Sequence, residues 1–164
     1  MPLIDRFLLL YMATVVKVHD GDTLTIEKDD ADKSQVVVRL NRIDAPELKQ
    51  PYGIESRNYL IDLVLTKEVR VDPIAKDMYG REVADIFSEI NVNRKMVTAG
   101  MAWRYIKYDK EKYSDLAVSE QDARDAHIGL WQDANPKAPW IYRKEQKHIH
   151  RKMQKQGFLL DETR

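Results

Sequence analysis

Five short segments rich in β-branched residues, each followed by a turn signal, limit what this chain can fold into. They are residues 13–19, 23–28, 35–41, 69–72 and 83–88, and β-branched residues fit the pleated surface of a sheet. Residues 52–65 place apolar side chains broadly on one helical face, which predicts a helix between the third and fourth strands. Five short strands with a helix at this point are typical of a Greek-key barrel of the OB type. The expected fold class is therefore α+β, mainly β, built on a five-stranded OB-fold barrel.

Two more helices are predicted after the last of these strands. Residues 93–99 form a short one, and Gly100 is well placed to end it in a left-handed conformation. Residues 114–128 form a longer one, for which Ser114 is a suitable N-cap and Gly129 a suitable terminator. With the helix at 52–65, about three helices are expected to pack on the barrel.

The C-terminal part of the chain has a different character. Pro136, Pro139 and Trp140 predict an extended connection, and residues 143–156 predict a charged helix without a clear apolar stripe. From residue 142 to the end there are seven Lys/Arg against three Asp/Glu, a net charge of +4, although the whole chain has 27 of each sign. The rest of the chain is therefore mildly acidic. We interpret this basic helical tail as a solvated appendage.

Length and composition set the domain organisation. A chain of 164 residues with 43% apolar residues is one domain of ordinary size with a real core. We divide it into a leader or N-terminal extension at 1–12, a core domain at 13–132 and a C-terminal extension at 133–164. The apolar residues 7–13 are too few to span a bilayer, and we favour a first strand or a packed leader over the remnant of a signal peptide. The lack of cysteine excludes disulfides, thiol catalysis and cysteine–zinc sites.

Acidic and basic residues lie at the predicted strand ends and turns. The carboxylates are Asp22, Asp44 and Glu47, and the arginines are Arg39 and Arg81. Carboxylates collect hard divalent cations such as calcium, and the forked donors of arginine match phosphate oxygens. A site with both residue types suits phosphodiester chemistry, in which a metal and guanidinium groups share the developing negative charge.

The same residues belong to ordered motifs with a family resemblance. Val18 to Thr23, Arg39 to Glu47, Asp77 to Arg81 and the late Gly129-Leu130-Trp131 resemble the staphylococcal nuclease (thermonuclease) family in order and spacing. The resemblance covers about residues 13–132. It implies an OB-type barrel and a calcium-dependent endonuclease that hydrolyses phosphodiester bonds of DNA and RNA, cutting at the 5′-oxygen and leaving 3′-phosphate ends.

The resemblance also implies roles for the motif residues. Asp22 and Asp44, with the main-chain carbonyl of Ala45, correspond to the family's calcium ligands. Glu47 corresponds to the residue that activates or orients the attacking water, which agrees with the need for a proton acceptor near a metal-bound water. The arginines correspond to the pair that neutralises the phosphate and favours departure of the 5′-oxygen: Arg39 and Arg81.

Aromatic residues are the candidates for substrate binding. Tyr79 matches a family position well, whereas Tyr105 and Tyr108 compete for one role, and an aromatic ring can stack on a base with little sequence preference. Core packing is the alternative for the last two. Met78 departs from the family, where a lysine near the terminal phosphate is known, so exonuclease-type preference is in doubt.

Several simpler interpretations stay open. Asp20 and Asp22 also fit a hairpin turn, an isolated glutamate is usually a solvated loop residue, and each arginine could pair with a barrel carboxylate. His148 and His150 lack a third metal ligand, so a solvated tail is favoured for them. For the whole protein the alternatives are a non-catalytic OB module that binds nucleic acid and a protein-interaction domain. We expect a monomer, and calcium dependence favours an extracytoplasmic setting, where that ion is more plentiful.

Overall fold

The described part of the chain, residues 10–157 of the computed structural model, contains seven strands. They are β1 (Tyr11–Val18), β2 (Thr23–Lys28), β3 (Gln35–Leu40), β4 (Ile43–Asp44), β5 (Glu68–Lys76), β6 (Glu82–Phe87) and β7 (Trp103–Arg104). Five of them close into a barrel in the order β1-β2-β3-β6-β5. All barrel pairs are antiparallel except β3 and β6, which run parallel. The predicted five-stranded OB-type barrel is confirmed.

The described residues also contain four α-helices: α1 (Gly53–Val64), α2 (Val92–Thr98), α3 (Asp115–Asp125) and α4 (Pro139–Lys155). The side chain of Ser114 accepts a hydrogen bond from the backbone N–H of Ala117, so the predicted N-cap of α3 is present. A 3-10 helix at Gly129–Gln132 separates α3 from α4. Within residues 10–157, no helix has the length and apolar character needed to cross a membrane.

The barrel interior is filled by the inward-facing side chains of the strands. Leu24, Ile26, Val38, Val71 and Ile86 are at most 1% exposed. Their alternation with outward-facing residues follows the two-residue period of a strand. Apolar side chains of α1 and α2 complete the same core from outside the barrel, which holds these helices against it.

A two-stranded sheet of β4 and β7 lies outside the barrel and was not predicted. In it Asp44 is paired with Trp103, and Ile43 with Arg104. Strands of two residues are too short for a hydrophobic period to reveal them. This small sheet matters because it fixes the backbone of Asp44 beside an aromatic cluster, which consists of Trp103, Tyr105, Trp131 and Trp140.

Gly129 has a different role from the predicted one. Helix α3 already ends at Asp125, and Gly129 begins the 3-10 helix with φ +58°. A Cβ atom at Gly129 would lie 2.3 Å from the carbonyl oxygen of Gly100, and the N–H of Leu130 donates to that oxygen at 2.9 Å. Glycine is needed here because two backbone segments approach each other closely. The approach places Trp131 in the aromatic cluster.

The C-terminal helix begins earlier than predicted. Pro139 and Trp140 form its first turn rather than an extended connection, and proline is favoured at that position because its missing N–H has no helical partner anyway. Trp140 stacks on Tyr105, with ring centroids 5.4 Å apart and planes at 10°, and meets Trp103 edge to face at 5.6 Å. From Lys144 onward every residue of the helix is exposed. The description as a solvated appendage therefore fits the far part of α4 and fails for its first turns.

The predicted N-terminal extension falls mostly outside the described residues. Residues 1–9 lie there, whereas Tyr11 and Met12 belong to β1 and pair with Val71 and Arg70 of β5. The first strand thus begins two residues earlier than the predicted boundary.

Candidate active site

One end of the barrel collects most of the acidic and basic residues singled out in the sequence. Asp22 precedes β2 directly, and Arg39 lies on the neighbouring β3, where it is paired with Thr23. Asp44 ends β4, and Glu47 follows in the loop to α1. The strands thus bring together residues that are up to 25 positions apart in the chain.

Arg39 joins the two aspartates. Its Nη1 lies 2.9 Å from Oδ2 of Asp22, and its Nη2 lies 3.0 Å from Oδ1 of Asp44. Both carboxylates are buried, and the Arg39 side chain is only 14% exposed. The two arms of one guanidinium therefore hold two negative charges close together away from solvent.

Backbone contacts fix the position of Asp22. Its Oδ2 accepts a hydrogen bond of 2.6 Å from the N–H of Ala45, and its Oδ1 accepts one of 3.1 Å from the Thr23 hydroxyl. Asp20 accepts a bond from the N–H of Asp22, as expected for a turn residue. A Cβ at Gly21 would lie 1.8 Å from the Ser56 hydroxyl oxygen, so only glycine fits between the two aspartates of the turn.

The two buried aspartates have raised pKa values. Burial raises the pKa of Asp22 to about 6, although the positive charge of Arg39 acts in the opposite direction. Burial also raises the pKa of Asp44, and the nearby charge of Asp22 adds to the effect. Burial thus makes the charged forms of both carboxylates costly, and a cation bound between them would offset that cost.

Glu47 lies beside this pair on a loop that is tied to the C-terminal helix. The loop is closed by hydrogen bonds between Glu47 and Gln50, in which each N–H donates to an oxygen of the other residue. The buried side chain of Gln50 also donates to the carbonyl oxygen of Lys137, just before α4, at 2.5 Å. Glu47 itself is 39% exposed, so its carboxylate is reachable from solvent.

Arg143 of α4 is the residue that the sequence analysis missed. Its Nη2 lies 2.8 Å from Oδ2 of Asp44, and its Nη1 lies 3.1 Å from Oδ1 of Asp44 and 2.8 Å from Oε1 of Glu47. These hydrogen bonds to Asp44 and Glu47 raise the pKa of Arg143, although its partial burial acts in the opposite direction. The only signal in the sequence was the excess of positive charge in the tail, which does not single out one arginine.

Arg81 and Tyr79 lie at the turn between β5 and β6. Nε of Arg81 is 2.7 Å from Oδ2 of Asp77, and its guanidinium is 5.4 Å from the ring centre of Tyr79, which is 77% exposed. Both residues line a cavity of about 350 Å³ between β3 and the β5–β6 turn. Arg81 directly precedes β6, the strand beside β3, and its described ion pair is with Asp77 rather than with a carboxylate of the barrel-end site.

The other two predicted aromatic residues differ in accessibility. Tyr105 is partly buried, and one face of its ring is covered by Trp140. Tyr108 is 60% exposed and meets Tyr105 edge to face at 5.1 Å. Packing against α4 thus occupies Tyr105, and Tyr108 keeps a ring open to solvent.

The donor set at the barrel end fits a hard divalent cation in type. Two buried carboxylates with raised pKa values, a main-chain carbonyl and water oxygens are ligands that such an ion accepts. No cluster of three or more acidic, histidine or cysteine side chains suited to a metal occurs in residues 10–157, so water would supply much of the shell. Because Arg143 contacts both oxygens of Asp44, a cation bound through Asp44 must share or displace this guanidinium.

Known proteins match this chain over the region that contains the site. The model of the family "Staphylococcal nuclease homologue" matches residues 37–133, more than half of the chain. An uncharacterized endonuclease of Escherichia coli O157:H7 is 44% identical over 131 residues, which cover 79% of this chain and 82% of that protein. A micrococcal nuclease of Shigella flexneri is 34% identical over 148 residues, 84% and 83% of the two chains. An uncharacterized endonuclease of Haemophilus influenzae is 41% identical over 134 residues, 81% and 73%.

The match with the family model ends six residues before α4 begins. Arg143 therefore lies outside the matched region although its side chain contacts the site. The family's nucleases are generally metal-dependent, which agrees with the oxygen-rich donor set described above. The barrel, the carboxylate and arginine cluster and these relatives together lead to one conclusion: this chain belongs to the staphylococcal nuclease family and is a nuclease, a hydrolase of phosphodiester bonds in nucleic acids.

Proposed function

We propose that this protein is a calcium-dependent endonuclease that cleaves DNA and RNA and leaves 3′-phosphate ends. The observation that carries the proposal is the bridge from Arg39 to Asp22 and Asp44, with Glu47 beside it. A guanidinium and three carboxylates at a barrel end match a reaction in which negative charge moves onto phosphate oxygens.

In this proposal Asp22, Asp44 and the carbonyl oxygen of Ala45 hold the calcium ion. When bound, the ion would offset the charge of the phosphate and lower the pKa of water. The burial of both aspartates, which raises their pKa values, supports this assignment because a bound cation would stabilise the charged carboxylates away from solvent.

Glu47 acts as the general base. Its exposed carboxylate takes a proton from a water molecule as the water oxygen bonds to phosphorus. The bond from phosphorus to the 5′-oxygen breaks, the electron pair leaves with that oxygen, and a solvent proton completes the new hydroxyl. The 3′-oxygen keeps the phosphate, which gives the 3′-phosphate end.

The arginines have unequal support as phosphate ligands. Arg39 is at the site, where a guanidinium can hydrogen-bond the phosphate as charge develops. Arg81 precedes the neighbouring strand, and to contact the same phosphate it has to turn away from Asp77. Tyr79 and Tyr108 have exposed rings suited to stacking on bases, and Tyr105 packs edge to face against the ring of Tyr108.

Digestion of single-stranded and duplex DNA and of RNA tests the proposal. Wild type and Glu47→Gln are compared with calcium, with magnesium and with chelator, and melting temperatures confirm that the variant is folded. We expect cleavage with calcium, none with chelator, and a loss of at least about a hundredfold in the variant. Ends that a polymerase extends only after phosphatase treatment identify 3′-phosphates.

Two results would contradict the proposal in different ways. Magnesium-supported cleavage without a calcium requirement would remove the metal assignment but keep the nuclease. Binding of nucleic acid by clean wild-type protein without cleavage under any condition would instead favour the non-catalytic OB module.

A further inference from the structure

A groove of about 480 Å³ lies between α4 and the loop that carries Glu47. Its walls come from residues 47–49 of the loop and from Tyr142, Arg143, Gln146 and Lys147 of α4, and Asp20 also lines it. The groove thus begins at the residue proposed to activate water and leads away from it along α4. A strand of nucleic acid whose reacting phosphate lies beside Glu47 can continue into this groove.

The charges of the groove suit a phosphate. The side chains of Lys49, Arg143 and Lys147 supply three positive charges to its lining, against two carboxylates, those of Asp20 and Glu47. Glu47 pairs with Arg143, and Asp20 accepts the N–H of Asp22. The two exposed lysines are therefore the cations available to an incoming anion.

The groove also offers apolar surface for a base or a sugar. Leu48 is 43% exposed, and Tyr142 is half-buried at the start of α4. An aromatic ring beside two lysines is the combination that binds single strands without sequence preference. The lining thus matches a whole nucleotide unit rather than an isolated inorganic ion.

The wall formed by α4 is held in place at its base. Trp140 stacks on Tyr105, Gln50 donates to the carbonyl of Lys137, and Lys137 pairs with Glu145 at 2.6 Å. Lys147 follows Arg143 by four residues, about 6 Å along the helix axis and on the same side. The attachment of the first turns of α4, which brings Arg143 to the site, therefore also determines the position of the Lys147 ammonium group.

We propose that this groove is a nucleotide-binding subsite, in which Lys49 and Lys147 hold a phosphate of the substrate strand next to the one that is cleaved. The inference rests on the proposed function, since it requires a nucleic-acid strand at Glu47. It assigns to α4, which follows the region matched by the family model, a part in binding substrate.

Binding of single strands to Lys147→Gln and Lys49→Gln tests the subsite. Lys144→Gln is the matched control, because it removes the same charge from the same helix at an exposed residue outside the groove lining. The probes are fluorescent oligothymidylates of two to eight nucleotides in chelator, so that they stay intact. Anisotropy gives Kd at a series of salt concentrations, and circular dichroism verifies the helix content of each variant.

We expect each groove variant to bind the longer strands at least about threefold more weakly and to lower the slope of log Kd against log salt by about 1. The shortest strands, which do not reach the groove, should bind all variants alike, and Lys144→Gln should stay close to wild type. Equal losses in Lys144→Gln and Lys147→Gln would overturn the subsite, since general charge alone would then explain them.

The same variants separate this inference from the proposed function. A wild type that binds strands but does not cleave them, with a selective loss in Lys147→Gln, would keep the subsite and contradict the nuclease mechanism. A wild type that cleaves with calcium, combined with unchanged binding in both groove variants, would keep the mechanism and contradict the subsite.

Discussion

Two arginines contact Asp44, and they come from very different parts of the molecule. Arg39 is on a barrel strand, is 14% exposed and also holds Asp22. Arg143 is on the C-terminal helix, is 36% exposed and also holds Glu47. The Arg39 guanidinium is therefore part of the buried framework of the site, whereas the Arg143 guanidinium reaches it from a helix that is exposed to solvent beyond its first turns.

This contrast has an energetic consequence. Removing a buried partner leaves a carboxylate without compensation, which costs far more than losing a half-exposed ion pair. Arg39 should therefore be needed for folding as well as activity. Arg143 should chiefly decide how easily a cation reaches Asp44.

The largest effect is expected for Arg39→Gln. Both buried aspartates lose their shared partner, so we expect the free energy of unfolding to fall by about 3–5 kcal/mol. Urea unfolding of the two proteins at pH 7 measures this. Arg70→Gln, which replaces an exposed barrel arginine lying over the ring of Phe87, is the control and should change stability by less than about 1 kcal/mol. Similar losses in both variants would remove the distinction drawn for Arg39.

Asp22→Asn should have the next largest effect, with the opposite sign. The folded-state pKa of about 6 lies above the usual 3.8, so the folded protein binds more protons than the unfolded chain between these values. The cost of the ionised carboxylate is therefore fully present above pH 6 and disappears as the pH falls to 4. We expect the variant to be about 3 kcal/mol more stable at pH 7 and no more stable than wild type near pH 4.

Urea unfolding between pH 4 and 8 follows this difference, with the exposed Asp29→Asn as a control that should show no such trend. A stability gain that stays the same at all pH values would contradict the role of ionisation.

Trp140→Ala tests the attachment of α4. Loss of the stacking on Tyr105 and of the contact with Trp103 should destabilise the protein by about 1–2 kcal/mol, since the ring is only half-buried. Hydrogen exchange of the α4 amides should become faster, while exchange in the barrel stays unchanged. Tyr113→Ala, at a ring that is 79% exposed, should alter neither quantity. Unchanged exchange in α4 of Trp140→Ala would show that other contacts hold the helix.

Arg143→Gln should have the smallest effect on stability and a visible effect on cation binding. Since the guanidinium and a cation compete for the oxygens of Asp44, its removal should tighten calcium binding by about three- to tenfold. Calorimetric titration of calcium into each protein provides the measurement, and Lys144→Gln serves as the charge-matched control. Weaker calcium binding in Arg143→Gln would contradict the competition.

Much of the barrel could be predicted because its signals are local. The β-branched segments gave four strands within a few residues of their ends, whereas β5 is longer than predicted and extends to Lys76. Ser114 was identified as an N-cap because capping depends on neighbours three residues away. The cluster of Asp22, Arg39 and Asp44 was within reach because all three residues belong to short motifs whose spacing is visible in the sequence.

The remaining features depend on packing between distant elements. The first turn of α4 was expected to be extended, because Pro139 alone predicts an interruption of regular structure. The stacking of Trp140 on Tyr105, which attaches this turn, cannot be seen in the sequence. The orientation of Arg81 toward Asp77 is set by a tight turn, in which the Asp77 carboxylate accepts hydrogen bonds from both the backbone N–H and the Nε of Arg81. Neither feature leaves a periodic pattern in the sequence.

From the amino-acid sequence alone, the barrel, the carboxylates of Asp22, Asp44 and Glu47, and Arg39 beside them could be predicted, because strand alternation and short motif spacings act over a few residues. The full set of cations around Asp44 could not, since the contact with Arg143 spans 99 positions and forms only when the chain is folded. That contact depends on the first turns of α4, which the stack of Trp140 on Tyr105 attaches beside β7. Ion pairs between separate elements follow from packing geometry, and packing geometry has no local signature.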